Sequence, residues 1–403
     1  MKRSGHADLP LHNGRVPPWL ATRMAKIGGA IVEAIILEFG QEEVLQRISD
    51  PLWFQSLGSV MGMDWHSSGI TTSVMGALKR SVNPMANELG IYICGGRGKH
   101  SRKTPEELLQ IGDRTGIDGA LMSEYSRLSA KVDNTAIQDG FQIYLHNFIV
   151  TDKGQWSVVQ QGMNGITGYA RRYHWHSEQL RSFIDEPHTM VCGVNQGEIL
   201  NLVAKEAKKS QAGILKLSAE TPDRVMKEAR QIRLPGHHEV TFRDVDIKRL
   251  GSVLAVAHDS GVSGFEDLLL TQGLGPRTLQ SLTLISEVIY GTPSRFSDPA
   301  RFSFAHGGKD GHPFPVPLKV YDQSIDVLRK AVDKAKIDQS DKLKAIKKLS
   351  EAAKRIEKDF VPDPNAFEKV MEREHRNSKL WGGRTVFDDR KRKGPQQLDL
   401  FNQ

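Results

Sequence analysis

"FQIYLHNFIVTDKGQWSVVQQGM", residues 141–163, decides how the fold is read. Two runs rich in β-branched and aromatic residues flank Thr151-Asp152-Lys153-Gly154, and that punctuation predicts a β-hairpin. Upstream the period changes. Leu20, Met24, Ile27, Ile31 and Ile35 recur at helical spacing across residues 19–39, and the pattern stops at Gly40. Residues 41–49 and 70–89 read as further helices, the second interrupted at Pro84. Residues 91–94 read as a strand entering a glycine-basic loop, "GGRGKHSRK". Thr104-Pro105-Glu106-Glu107 then opens a helix, with threonine as the cap and acids in the first turn. Residues 1–190 therefore read as one α+β domain, the place where catalysis or DNA processing would sit.

Downstream, Pro187, Gly193 and Gly197 mark a boundary. Residues 191–240 read as a helical connector, with helices over 198–209 and 221–232. Residues 241–360 read as an all-α domain interrupted by one long loop, residues 291–316. In residues 361–403 charge dominates and apolar periodicity fades, which predicts a flexible basic tail. A chain of 403 residues exceeds one ordinary core, so more than one domain is expected. Its net charge of +7 favours a polyanionic partner. Its two cysteines, Cys94 and Cys192, do not make a disulfide framework. No apolar run is long enough to cross a membrane and no apolar signal core opens the chain, so the expectation is a cytoplasmic, nucleoid-associated protein.

The sharpest internal motif is "FEDLLLTQGLGPRTLQSLTLISEVIYG", residues 265–291. Leu268 and Leu269 precede Gly273-Leu274-Gly275, and Pro276 opens a second apolar helix. Paired glycines allow a tight turn, Leu274 can plug between the helices, and first-turn amides carry the positive end of a helix dipole toward a phosphate. The stretch resembles the helix-hairpin-helix DNA-binding family, departing from it at Leu279, where the family has alanine. That resemblance implies sequence-independent DNA contact through Gly273, Leu274, Gly275, Arg277 and Thr278. Arg97 and Lys99 in the glycine-basic loop, and Lys309 in "HGGKDG", are further cations suited to the backbone. Near the end of the chain, Gln397-Leu398-Asp399-Leu400-Phe401 resembles the pentapeptide with which bacterial replication and repair proteins dock on the sliding clamp, which implies that clamp as a partner.

Over most of its length the chain resembles an uncharacterised bacterial and archaeal family, domain of unknown function 763, on stretches such as "ICGGRGKHSRKTPEE", "KVDNTAIQDGFQIYLHNF" and "ARRYHWHS". No activity comes with that resemblance, so the polar residues around the hairpin carry the chemistry. Asp133 and Asp139 precede the first strand, Gln142, Tyr144 and His146 alternate along it and are expected on one face, and Gln160 ends the second. Asp139 with Gln160 resembles the acid and strand end of the restriction-endonuclease-like core, although no lysine follows Gln160 at that family's spacing. The nuclease reading makes Asp133, Asp139, Gln142, His146 and Gln160 catalytic, with Asp139 and Asp133 holding Mg²⁺ or Mn²⁺. Asp64 and His66, or His6, Asp8 and His12, are additional ligand candidates. Two rivals stand beside it. One is a non-enzymatic DNA-binding adaptor. The other is a helix-hairpin-helix DNA glycosylase using Asp298.

Overall fold

The computed structural model describes residues 9–10, 18–63, 68–231, 247–302, 330 and 333. In chain order the elements run β1 (Leu9–Pro10), α1 (Pro18–Phe39), α2 (Gln41–Ser49), α3 (Pro51–Met61), α4 (Gly69–Val82), α5 (Ala86–Leu89), β2 (Ile91–Arg97), α6 (Thr104–Thr115) and α7 (Gly119–Lys131). There follow β3 (Ile137–Gln138), β4 (Gln142–Thr151), β5 (Trp156–Met163), β6 (Tyr169–His176), β7 (Met190–Cys192), β8 (Glu198–Asn201) and α8 (Lys208–Ala219). Last come α9 (Pro222–Gln231), α10 (Ile247–Asp259), α11 (Phe265–Leu270), α12 (Pro276–Tyr290), β9 (Phe296–Ser297) and β10 (Ala300–Phe302).

The expected hairpin, β4 with β5, is the centre of a seven-stranded sheet ordered β10-β7-β6-β5-β4-β2, with β1 on β6. Its pairs are antiparallel except β10 with β7. Alternation along these strands feeds two cores. Ile91, Ile93, Ile149 and Val159 join α1–α4 side chains on one face, including Ile27, Ile31 and Ile35. Tyr92, Cys94, Phe148, Val150, Trp156 and Val158 join the other face. The apolar runs in β4 and β5 are continuous because both faces are covered, so each burial removes apolar area from water at about 1.5–3 kcal/mol per large side chain.

Three expectations are corrected by long-range contacts. Residues 198–209 are not a helix: β8 is a strand pairing with β3 and β9, with Ile199 opposite Phe296, and α8 begins only at Lys208. The 291–316 loop contains β9 and β10, which close both sheets. The boundary near residue 240 does not separate two cores, because Phe265, Leu268, Leu274, Leu279 and Leu282 share one cluster with Phe148, Val158 and Trp175. A smaller correction concerns Thr104, whose hydroxyl donates to the Ser101 carbonyl 2.8 Å away instead of capping the helix it begins. His6, Asp8, His12, Asp64, His66, Lys309 and the 361–403 tail with Gln397, Leu398, Asp399, Leu400 and Phe401 lie outside the described residues.

Candidate functional site

Between α7 and β3 the chain makes one π-helical turn, Val132–Ala136, and this turn presents Asp133 to the interior. Asp133 is completely buried. Its Oδ2 accepts from Gln160 Nε2 at 2.6 Å and Trp175 Nε1 at 3.0 Å, and its Oδ1 accepts from His188 Nε2 at 2.5 Å. Gln160 spends its amide hydrogens on Asp133 and on the Ser129 carbonyl, so its Oε1 must accept from His146 Nδ1, 2.9 Å away. His146 Nε2 is then the acceptor for the Ser126 hydroxyl at 2.8 Å. The result is a serine–histidine–glutamine–aspartate chain with every member satisfied, and Ser126 is only 2% exposed.

Burial pushes His146 down to about 4, only partly offset by its Gln160 hydrogen bond, and holds His174 well below 6.5. An imidazole whose folded value is depressed binds protons more readily unfolded, so its stability contribution is lost as pH falls from 6.5 toward 4. Lowering pH from about 7 to about 5 is expected to cost about 2 kcal/mol through His146 alone. Urea midpoints of the wild type and His146→Asn check this: the variant should lose less between those two pH values.

A second network surrounds Asp139. Its Oδ2 accepts from Arg171 at 2.9 Å and from the Tyr173 hydroxyl at 2.6 Å, while Oδ1 accepts the Phe141 amide at 3.0 Å. The same guanidinium grips both oxygens of Asp298, at 3.0 and 2.9 Å. Asp298 also accepts the amides of Gln196 and Ala300, each at 2.8 Å. Arg171 lies over the Phe141 ring, 4.8 Å from its centroid. Burial pushes Asp139 upward, opposed by Arg171, Tyr173 and the Phe141 amide.

The proposed catalytic residues do not converge on one open pocket. Asp133, Gln160 and His146 share one buried network, Asp139 belongs to the other, and Gln142 is exposed at the start of β4. The one-face expectation for Gln142, Tyr144 and His146 fails at a bulge. Ile143 pairs with Gly162 and Leu145 with Gln161, so Tyr144 is extra. The Tyr144 hydroxyl meets Gln161, whereas His146 meets Gln160, the neighbour that points to the opposite face. Mg²⁺ or Mn²⁺ requires carboxylate oxygens open to it and room for water. Both oxygens of Asp133 and of Asp139 already accept hydrogen bonds in closed surroundings, so these residues do not fit such an ion. Among the described residues no group of three or more His, Cys, Asp and Glu is placed to hold a metal.

What faces solvent is different in kind. Between α11 and α12, Gly273 takes φ +84° and is exposed, Leu274 is buried between the helices, and Arg277 is exposed. Only Gly273 needs glycine's left-handed freedom. Gly275 is extended, at φ −135°, and leaves the first turn of α12 without a capping side chain. Lys131 donates to the Leu274 carbonyl and Gln138 Nε2 to the Pro276 carbonyl at 2.8 Å, so both flanks of the π-turn hold this loop. Thr278 is buried in that first turn. The strand expected over 91–94 runs on to Arg97, which is exposed at the end of β2, and Lys99 is exposed in the 3₁₀ turn Gly98–Lys103 that follows.

Arg171, Trp175, His188, Ser126 and Lys131 were not given these roles by sequence. For Arg171 and Trp175 the local signal is β6 itself, "YARRYHWH", a fully paired strand that places polar side chains on both faces, whereas Ser126 and Lys131 lie on α7 and His188 precedes β7. No curated protein and no solved structure matches this chain. The family model described as "Protein of unknown function (DUF763)" matches residues 5–316, the span that holds both buried networks, the glycine-basic loop and the α11–α12 turn, and the chain belongs to that family.

Proposed function

We propose that this protein binds duplex DNA through its phosphodiester backbone, without reading base sequence, and is brought to DNA by docking residues 397–401 on a sliding clamp. The observation that carries the first part is the exposed turn at Gly273, anchored by buried Leu274 and followed by an uncapped helix start beside Arg277. Helix geometry leaves first-turn amides without intrahelical acceptors, and the macrodipole there favours an anion. Such contacts hold a backbone and carry no base information. The adaptor reading is favoured over the nuclease and the glycosylase because the carboxylates of Asp133, Asp139 and Asp298 are already committed to internal donors.

Fluorescence anisotropy with two duplexes of equal length and unrelated sequence tests the reading. Affinities within about threefold of each other are expected, and a difference above about thirtyfold would contradict backbone recognition. For the second part, Leu400 and Phe401 would fill an apolar clamp pocket with Gln397 bonding at its rim. Deleting residues 397–401 should abolish pull-down by a purified bacterial clamp while leaving duplex affinity unchanged. Pull-down that survives the deletion refutes the clamp assignment.

A further inference from the structure

Resting on the backbone-binding reading, we infer that the glycine-basic loop, residues 95–103, is a second phosphate-binding site engaging the same duplex as the α11–α12 turn. The loop leaves β2 through three glycines with positive φ, Gly95 at 85°, Gly96 at 140° and Gly98 at 60°. At Gly95 the turn is enforced by close approach, since a Cβ there would lie 2.2 Å from the His146 carbonyl oxygen. The turn throws Arg97, Lys99, Arg102 and Lys103 out to solvent. Glu107, the acid nearest the loop's base, is occupied: Lys79 Nζ and the Gly95 amide each approach it to 2.7 Å. Glu106 is the exposed acid that remains in that first turn, so cations outnumber it on this surface.

The fold brings this loop and the α11–α12 turn to one end of the sheet, Arg97 from the face packed by α1–α4 and Leu274 from the other. Arg97 pairs with Leu145 and lies 5.7 Å from the Tyr144 ring centroid, at the start of β4. One residue earlier, the Ile143 amide donates to Asn134 Oδ1 at 3.1 Å. Asn134 sits in the π-turn whose flanks, Lys131 and Gln138, hold the carbonyls of Leu274 and Pro276. A second route agrees. Gly96 pairs with His146, His146 bonds Ser126 on α7, and Lys131 lies five residues further along that helix, about 7.5 Å along its axis. Both phosphate-seeking surfaces are therefore joined through the start of β4 at one end of the sheet, where a single duplex would span both. The loop supplies side-chain charges, while the α11–α12 turn supplies backbone amides.

The test uses the full chain and measures duplex dissociation constants across salt from about 50 to about 200 mM. Removing one cation that pairs with a phosphate should reduce the salt slope by about 0.9. Lys99→Gln/Arg102→Gln is expected to reduce it by about 2 and to weaken binding on the order of tenfold or more near 0.1 M salt. Arg114→Gln/Lys153→Gln removes the same charge beside Asp152, at the other end of β4, and should leave the slope within about 0.5 of wild type. An unchanged slope in the loop variant, with Gly275→Asp still weakening binding, overturns the second site and spares the α11–α12 turn. An equal loss in both charge variants overturns it too, because only general charge then matters. Failure of the wild type to bind any duplex overturns both readings, and slope changes seen with RNA but not DNA would assign the site to the wrong polymer.

Discussion

Arg171→Leu is expected to destabilise the fold by about 3–5 kcal/mol, the largest effect of any single substitution proposed for this chain. The guanidinium is fully buried between Asp139 and Asp298, and it also donates to the Val194 carbonyl. Removing it leaves two carboxylates away from water without their cation, and an unpaired buried charge costs far more than the pair contributed. Replacing all three members together, Arg171→Leu/Asp139→Leu/Asp298→Leu, should therefore cost less than the single change wherever the apolar side chains can fill the space. Burial already holds Asp139 above its ordinary 3.8. In the variant the opposing pull of Arg171 is gone, so the folded state binds protons more strongly than the unfolded chain. Its stability should rise as pH falls toward 3.8, narrowing the deficit against wild type. Urea unfolding at several pH values measures this; equal midpoints for Arg171→Leu and wild type would show that the triad is not the bond between β6, β10 and the 139–141 turn that its geometry indicates.

Gly275→Asp separates binding from folding. The position is the N-cap of α12, extended at φ −135° and ψ −179°, which any residue can adopt. Aspartate is a favoured cap, so stability should hold or rise by a few tenths of a kcal/mol. The same carboxylate would occupy the first-turn amides and repel an incoming phosphate. Charge-assisted hydrogen bonds are worth about 1.5–3 kcal/mol, so duplex affinity should fall about ten- to a hundredfold. Gly273→Val is a blunter tool, because φ +84° strains any L side chain and the added Cβ would press Val253 at 3.3 Å. Unchanged affinity in Gly275→Asp, with an unchanged urea midpoint, would remove the α12 start from the interface.

How much of this was legible in the sequence follows from the range of the interactions. The β4–β5 hairpin and α1 were readable because their signals are local: an Asp-Lys-Gly turn between β-rich runs, and isoleucines at helical spacing. The covering of both sheet faces was not. β8 and β9 were missed because their order comes from pairing partners about a hundred residues apart, Glu198 with Ser297. Polar residues near the hairpin were grouped as one site, and the structure divides them between two buried networks. Asp133 reaches Gln160, whereas Asp139 reaches Arg171 and through it Asp298, 127 residues on from the arginine. The single-residue bulge at Tyr144 reversed a face that strict alternation had assigned. For the α11–α12 turn, composition suggested two glycines with one role. The backbone gives them two: Gly273 makes the turn, and Gly275 keeps the helix start bare.

Backbone amide resonances of residues 273–278, followed during titration with duplex DNA, test the phosphate grip most directly. Arg277 and Thr278 amides should shift and become protected from hydrogen exchange to the same extent with duplexes of unrelated sequence, and Gly275→Asp should abolish both responses. Saturable duplex binding that leaves these amides unmoved, with the perturbed resonances elsewhere on the surface, would contradict the assignment of the α11–α12 turn as the DNA-binding element.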